Sequence, residues 1–452
     1  MRDRGIHPHY LAPIPETAVS PAIIGAFGIL CLLILLFLRI PVWAALMLVG
    51  FTGNCILSGL HSALSLAGTS AFDVSAAYTL SVIPLFVLLG EVASSTRLSA
   101  DLFNAARLLL SGVRGGLAIA TIAASSCFGA VCGSSIVTAA TMTRIALPEM
   151  RKAGYDDRLA TGELAAGGSI GILIPPSIIL VIYASIAEQS VPKLFAAALL
   201  PGLLLTALYM AVATGIAIAY PQYAPRMEKA SARERLKALA GPWQFILLFI
   251  VTIGGIYAGI FSPTEAAAVG AFGSIVLGFL GRRLTIATLW RSIEASITTS
   301  CLLFVIIIGA NLFSSFMVQT QFPSMLADGA SAMNLSAPVV MVMIVLAYIV
   351  MGCFLEGIGM VLITVPVFLP LVVKFGYDPI WFSILVVIVV EVGLIHPPVG
   401  MNLFVIQAQA PDVKITSIYR GIVPFLIAPF VLIIFLFLFP SLALWLPKLL
   451  YG

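Results

Sequence analysis

The chain has 452 residues, of which 61% are hydrophobic and 9% charged, and its mean hydropathy is +1.13. Soluble domains run near 45–50% apolar and about 25% charged. The composition therefore excludes an ordinary globular enzyme, a disordered chain and a nucleic-acid binder, and leaves a polytopic α-helical membrane protein. The net charge of +4 points to no acidic partner, and the six cysteines (31, 55, 127, 132, 301 and 353) sit in apolar stretches without metal or disulfide spacing.

In chain order, residues 1–20 form an N-terminal extension, and the charge-free run from Thr17 to Leu38 is longer than a signal-peptide core. A crossing needs about 20 apolar residues. Ten can be marked: 21–38, 42–60, 76–94, 157–187, 194–219, 242–261, 263–281, 297–317, 379–409 and 421–447. Segments 115–148 and 337–370 differ. Each is long and interrupted near its middle, at Gly129-Ala130-Val131-Cys132-Gly133-Ser134-Ser135 and at Gly352-Cys353-Phe354-Leu355-Glu356-Gly357-Ile358-Gly359. Glycine-rich breaks at membrane depth survive only where protein or a cavity surrounds them, so both segments read as re-entrant hairpins. Before each lies a segment, 97–113 or 319–335, expected to be an interfacial arm. With the basic loop 221–240 in the cytoplasm, 18 of the 23 Lys and Arg residues fall inside, as the positive-inside rule requires. Trp43, Trp243, Trp290 and Trp445 fall near the ends of crossings, where interfacial aromatics belong.

A repeat runs at a fixed offset of 222 residues. Leu147-Pro148, Lys152, Gly154-Tyr155-Asp156, Gly171 and Pro175-Pro176 recur as Leu369-Pro370, Lys374, Gly376-Tyr377-Asp378, Gly393 and Pro397-Pro398. Pro41, Ala44 and Ala45 recur as Pro263, Ala266 and Ala267. The copies occupy 21–220 and 241–447. Five crossings separate them, and an odd number inverts one copy relative to the other, which is the architecture of secondary transporters. The first hairpin then opens from the cytoplasm and the second from the periplasm.

The two Pro-Pro pairs interrupt apolar crossings, giving broken helices over 157–187 and 379–409. Proline removes a backbone donor. Freed carbonyls before each break suit a small cation, while half-helix N-termini at the breaks and at the hairpin tips suit an anionic group such as a carboxylate. Each tip facing a broken helix makes one candidate ion site. Carbonyl and hydroxyl oxygens suit an alkali cation, and no transition-metal cluster is present in the sequence. Other readings are weak. There is no phosphate-binding Gly-x-x-x-x-Gly-Lys-Ser/Thr loop. Gly167-Gly168-Ser169-Ile170-Gly171 matches the serine-hydrolase elbow only in form, because it lies in a membrane helix of a chain with four histidines (7, 9, 61 and 396). Of the carboxylates, Glu356 at a hairpin tip is expected to act directly. Glu391 is expected in a structural hydrogen bond, Glu91 and Glu265 in solvated or capping positions, and Asp156 and Asp378 as N-caps. Proton coupling through Glu356, Glu391 or His396 stays open.

These residues resemble the large membrane subunit of tripartite ATP-independent periplasmic (TRAP) transporters over about residues 20–447. The resemblance rests on Gly133-Ser134-Ser135 with Ala139-Ala140, Pro148-Glu149-Met150 with Gly154-Tyr155, Gly171-Ile172-Leu173-Ile174-Pro175-Pro176-Ser177, Ser262-Pro263-Thr264-Glu265-Ala266-Ala267, and Pro397-Pro398-Val399-Gly400-Met401-Asn402-Leu403-Phe404. It implies an elevator-type fold of the ion transporter superfamily and a sodium-coupled importer of C4-dicarboxylates, sialic acid or similar acids in a bacterial inner membrane. It also implies two partners, a periplasmic substrate-binding protein and a small membrane subunit of about four helices. By the resemblance, one sodium site uses Gly133, Ser134, Ser135, Gly168, Ser169, Gly171 and Pro175. The other uses Glu356, Gly357, Gly359, His396, Pro397, Gly400 and Asn402. The substrate cavity takes Ser134, Ser135, Pro176, Ser177, Gly357 and Pro398. His396 departs from the small hydroxyl residue more common there, and Glu356 from the shorter Asp. A stand-alone sodium/anion symporter, and more remotely a channel or intramembrane hydrolase, remain as alternatives.

Overall fold

The computed structural model describes residues 20–96, 98–352 and 355–452. The N-terminal extension up to residue 19, Arg97, and Cys353 and Phe354 of the second hairpin tip lie outside the described residues. Among the described residues the chain is helical and contains no strand. The first half comprises α1 (Pro21–Phe37), α2 (Val42–Ser58), α3 (Leu60–Ala76), α4 (Val82–Ser95), α5 (Leu98–Leu109), α6 (Gly116–Cys132), α7 (Ser135–Lys152), α8 (Asp157–Ser169), α9 (Ile178–Ile186) and α10 (Val191–Ala219). After α11 (Ala232–Leu239) come α12 (Trp243–Phe249), α13 (Gly255–Tyr257), α14 (Pro263–Leu280), α15 (Ile286–Thr320), α16 (Phe322–Ala332), α17 (Ala337–Gly352), α18 (Gly357–Lys374), α19 (Pro379–Ile395), α20 (Met401–Gln409), α21 (Ile415–Ile422), α22 (Ile427–Leu438) and α23 (Ser441–Tyr451).

Element boundaries follow the 222-residue offset. Helices α7 and α18 match at both ends, and α8 and α19 match at their starts. The causes are local. Asp156 accepts from the Arg158 amide at 2.8 Å and Asp378 from the Ile380 amide at 2.7 Å, so both cap the helices that follow them. Ser262 and Glu265 form a capping box at the start of α14, as do Ser231 and Glu234 at the start of α11. The expected capping role of Glu265 is therefore met.

Among the described residues, six spans are long and apolar enough to cross a membrane: Tyr78–Ser95, Val191–Ala219, Pro263–Leu280, Ile286–Thr320, Gly357–Lys374 and Ile415–Leu438. Pro21–Phe37, Val42–Ser58, Gly116–Cys132, Ala337–Gly352 and Pro379–Ile395 are apolar but shorter. The chain is a multi-pass membrane protein. Two elements differ from expectation. Residues 61–75, left between the expected crossings, lie in the helix α3, and the crossing expected at 297–317 is part of the 35-residue α15.

Helices α2, α4, α14 and α15 pack on one another as a frame, in part through close backbone approach. A Cβ on Gly50 would lie 2.5 Å from the Phe313 nitrogen, so only glycine lets α2 lie this close to α15. Asn54 secures the crossing by donating to the Leu312 carbonyl at 2.9 Å. The arm helices α5 and α16 are each tied to a hairpin by charge. Arg107 lies 3.7 Å from Glu149 of α7, and Lys374 of α18 pairs with Asp328 of α16. Arg283 also pairs with Asp101, fixing α5 to the frame. Trp43, Trp243, Trp290 and Trp445 are exposed on the outer surface.

Candidate substrate and ion site

The first hairpin tip is seated on the first helix break. Gly133 adopts φ 59°, and a Cβ there would meet the Pro176 carbonyl oxygen at 2.7 Å. Behind the tip, a Cβ on Gly129 would lie 2.5 Å from the Gly171 Cα. Gly168 presses on Ala139 and Gly171 on Thr138. Ser134 caps α7 by accepting from the Val137 amide at 3.4 Å, and its own carbonyl accepts from Thr138 Oγ1 at 2.8 Å. Gly133, Ser134, Ser135, Gly168, Gly171 and Pro175 thus share one neighbourhood. Ser169 lies on the same turn, but its hydroxyl donates to the Ala166 carbonyl at 2.9 Å and lies 3.3 Å from the Tyr209 hydroxyl on α10. Its side chain is committed there.

The second tip meets the second break in parallel fashion. A Cβ on Gly352 would lie 2.7 Å from the Gly393 Cα, and Gly393 is the 222-residue mate of Gly171. Glu356 is the N-cap residue of α18. Gly357 packs against Val390 and Ile179. Gly359 instead faces Val42 of α2, with a Cβ position 2.9 Å from a Val42 methyl, so it touches the frame rather than the break. At the break, the Gly400 amide donates to the His396 carbonyl at 3.1 Å. Both Pro-Pro bonds, Pro175-Pro176 and Pro397-Pro398, are cis.

Two assignments need correction. Asn402, expected with the second tip, accepts a 2.8 Å hydrogen bond from the Ser135 hydroxyl of the first tip. The reason is helix placement. Helix α20 of the second copy packs on α7 of the first, while α9 of the first packs on α18 of the second. Asn402 is fully buried, and its Nδ2 has no hydrogen-bond partner. The second correction concerns the cavity. Pro176 and Ser177 are buried within the break, where Ser177 donates to the Ile172 carbonyl at 2.5 Å and caps α9. Pro398 is exposed, with its carbonyl accepting from Tyr419. None of the three lines the cavity.

A cavity of about 210 Å³ opens between the two tips and the frame helices α4 and α15. Ser134, Ser135 and Gly357 line it, together with Val87, Glu91, Cys132, Thr299, Leu303, Glu356 and Met401. Glu91 therefore faces the cavity rather than acting as a helix-end cap. Its place four residues before the end of α4 concealed this, because position along a helix does not give azimuth. Sequence reasoning also passed over Glu163, which is fully buried on α8. A lone Glu in the small, apolar run Gly162–Gly168 was the available signal. Glu391 is fully buried, but neither carboxyl oxygen has a hydrogen-bond partner, so the structural hydrogen bond expected of it is absent.

Charge gathers at the far end of the first hairpin, outside the membrane-spanning segments. Arg151 donates to Asp157 at 2.8 Å and to Asp412 at 2.6 Å, tying α7 to the loop after α20. The hydrogen bond from Arg151 holds the Asp412 carboxyl below its ordinary range, and Arg158 does the same for Asp156.

Residues 29–442 match the family described as the tripartite ATP-independent periplasmic transporter, DctM component. The chain is 35% identical over 378 residues to the C4-dicarboxylate TRAP transporter large permease protein DctM of Pseudomonas aeruginosa, covering 83% of this chain and 88% of that one. It is 32% identical over 374 residues to the sialic acid TRAP transporter permease protein SiaT of Haemophilus influenzae, covering 82% of this chain and 60% of that longer one. In fold it is similar to the Alcanivorax borkumensis YdaH transporter, with a TM-score of 0.63 at 15% identity, covering 94% of this chain and all of the other. Its relatives are permeases, and this chain too is no enzyme. A cavity between two glycine-packed hairpin tips, in a multi-pass helical chain matched along nearly its whole length, identifies it as a member of the TRAP transporter family and as its large permease subunit.

Proposed function

We propose that the chain imports a carboxylate-bearing solute across a bacterial inner membrane, driven by sodium, with the two hairpins and broken helices moving as one body against the frame. The observation that carries this reading is the matched pair of glycine contacts, Gly129 on Gly171 and Gly352 on Gly393, which seat both tips on both breaks beside one cavity. Ten crossings, two copies of opposite orientation and two re-entrant hairpins belong to the same reading. The first cation site takes the Gly133–Ser135 tip, the carbonyls of Gly168–Pro175 and the side chain of Asn402. The second takes Glu356 and Gly357 with the carbonyls of His396, Pro397 and Gly400. The relatives named for C4-dicarboxylate and sialic acid support a carboxylate cargo. Family membership supports a periplasmic binding protein and a small membrane subunit as partners.

The test is co-reconstitution of the chain with those two partners, in vesicles holding a defined ion gradient. Concentrative uptake is expected with sodium outside and the binding protein present. Equal uptake under a potassium gradient removes sodium coupling. Uptake undiminished without the binding protein favours the stand-alone symporter.

A further inference from the structure

The cavity walls carry two carboxylates, Glu91 on α4 and Glu356 at the second tip. None of the described residues lining it is Lys, Arg or His. Neither carboxylate belongs to an ion pair among the described residues. With Glu356 given to the second cation site, Glu91 is the carboxylate left facing the solute, and the apolar wall of Val87, Leu303 and Met401 strengthens its repulsion of a solute whose only charges are negative. The first tip offers the opposite character. The N-terminus of the 18-residue α7 points partial positive charge at Ser134 and Ser135. Beside it the buried Nδ2 of Asn402, one hydrogen bond removed from Ser135, is a donor without an acceptor. One site therefore holds a donor end and an acid end. We infer that the solute is a zwitterion, its carboxylate on the α7 N-terminus and a positively charged nitrogen on Glu91. The inference rests on the proposed function and narrows it.

Cys132 lines the same cavity, so the rate at which its thiol forms a mixed disulfide with a thiosulfonate, releasing methanesulfinate, reads the charge there. With the other five cysteines replaced, modification rates by a cationic and an anionic methanethiosulfonate are measured in the full chain in lipid nanodiscs with sodium, each normalised to its rate with a free thiol. The cationic reagent is expected to be favoured at least tenfold. Glu91→Gln should erase most of that preference, and Glu91→Asp should keep it, which separates lost charge from lost fold. Protection is then compared between 4-aminobutyrate and succinate, which both have four carbons and differ by an aminomethyl cation for a second carboxylate. Protection by 4-aminobutyrate alone, lost in Glu91→Gln, supports the inference. Protection by succinate equal to or better than that by 4-aminobutyrate overturns it and leaves carboxylate import standing. Protection by neither, with sodium without effect on the rate, overturns both. Protection by neither while sodium still alters the rate overturns the zwitterion and leaves the cation sites standing.

Discussion

Gly129→Ala tests the seating of the first hairpin. Its new methyl carbon lies 2.5 Å from the Gly171 Cα and 3.1 Å from the Gly171 nitrogen. Ordinary contact begins near 3.4 Å, so α6 and the break must part by about 0.9 Å. The opposing atoms are backbone and have no rotamer to yield. Overpacking of this kind costs about 1–3 kcal/mol, and the better helix propensity of alanine offsets close to 1 kcal/mol of it. The net loss of stability is about 0–2 kcal/mol, small enough for insertion to survive. Function should suffer more. A binding constellation has to be held to roughly 0.5 Å, and the tip rides on the displaced helix. Sodium-driven uptake should fall on the order of tenfold or more. The control is Gly68→Ala on α3, where a Cβ meets nothing within 4 Å. That variant should match or exceed wild type in melting temperature and equal it in uptake. Should Gly129→Ala behave like Gly68→Ala in both assays, the tip is not held by this contact.

Gly357→Leu drives a branched side chain toward Val390 and Ile179, which already lie 2.7 and 3.3 Å from a Cβ there; uptake should be lost while surface biotinylation shows normal insertion. Ser177→Ala removes the α9 cap and the hydroxyl donated to the Ile172 carbonyl, and should lower unfolding stability by about 1–2 kcal/mol, read as a fall in thermal midpoint. Acid should loosen the charged end of the first hairpin. Asp156 and Asp412 have folded-state pKa values below their unfolded value near 3.9, so their contribution is complete above about pH 4 and fades as pH falls through the folded values. Arg151→Ala should flatten that acid limb in a melting-temperature series between pH 3 and 6, and an unchanged limb would assign it to other groups.

Repeat, hairpins and breaks were legible because each has a one-dimensional signature. Glycine, proline and aspartate act on their own backbone or that of near neighbours, so Gly133, Pro175-Pro176 and Asp378 announce a turn, a break and a cap wherever the chain later folds. What stayed hidden depends on azimuth and on which helices become neighbours. Glu91 reads the same whether it faces lipid, solvent or cavity. Ser169 was grouped with the first sodium site through its place in the break, yet its hydroxyl points to Tyr209, 40 residues further on. Asn402 followed Pro397-Pro398 in sequence and was grouped with that break. Only the packing of α20 on α7 sends it to Ser135, 267 residues away.

That exchange bears on how the two proposed cation sites would communicate. Each tip rests on the break of its own copy, but each second half-helix, α9 or α20, packs on the hairpin of the other. Neither hairpin can then shift alone without pulling on the half-helix that belongs to its mate. A double-mutant cycle isolates the link. Ser135→Ala leaves Asn402 Oδ1 buried without a donor, and Asn402→Ala leaves the Ser135 hydroxyl without its acceptor. Each should cost about 1–3 kcal/mol, with a coupling of about 0.5–3 kcal/mol between them. Apparent sodium affinity separates the two groupings. If Asn402 serves the first tip, Asn402→Ala shifts the sodium dependence as Ser135→Ala does, and the double variant adds little. If the two shifts instead add fully, while Asn402→Ala is non-additive with Glu356→Gln, Asn402 belongs to the second tip and the exchange between copies plays no part in ion binding.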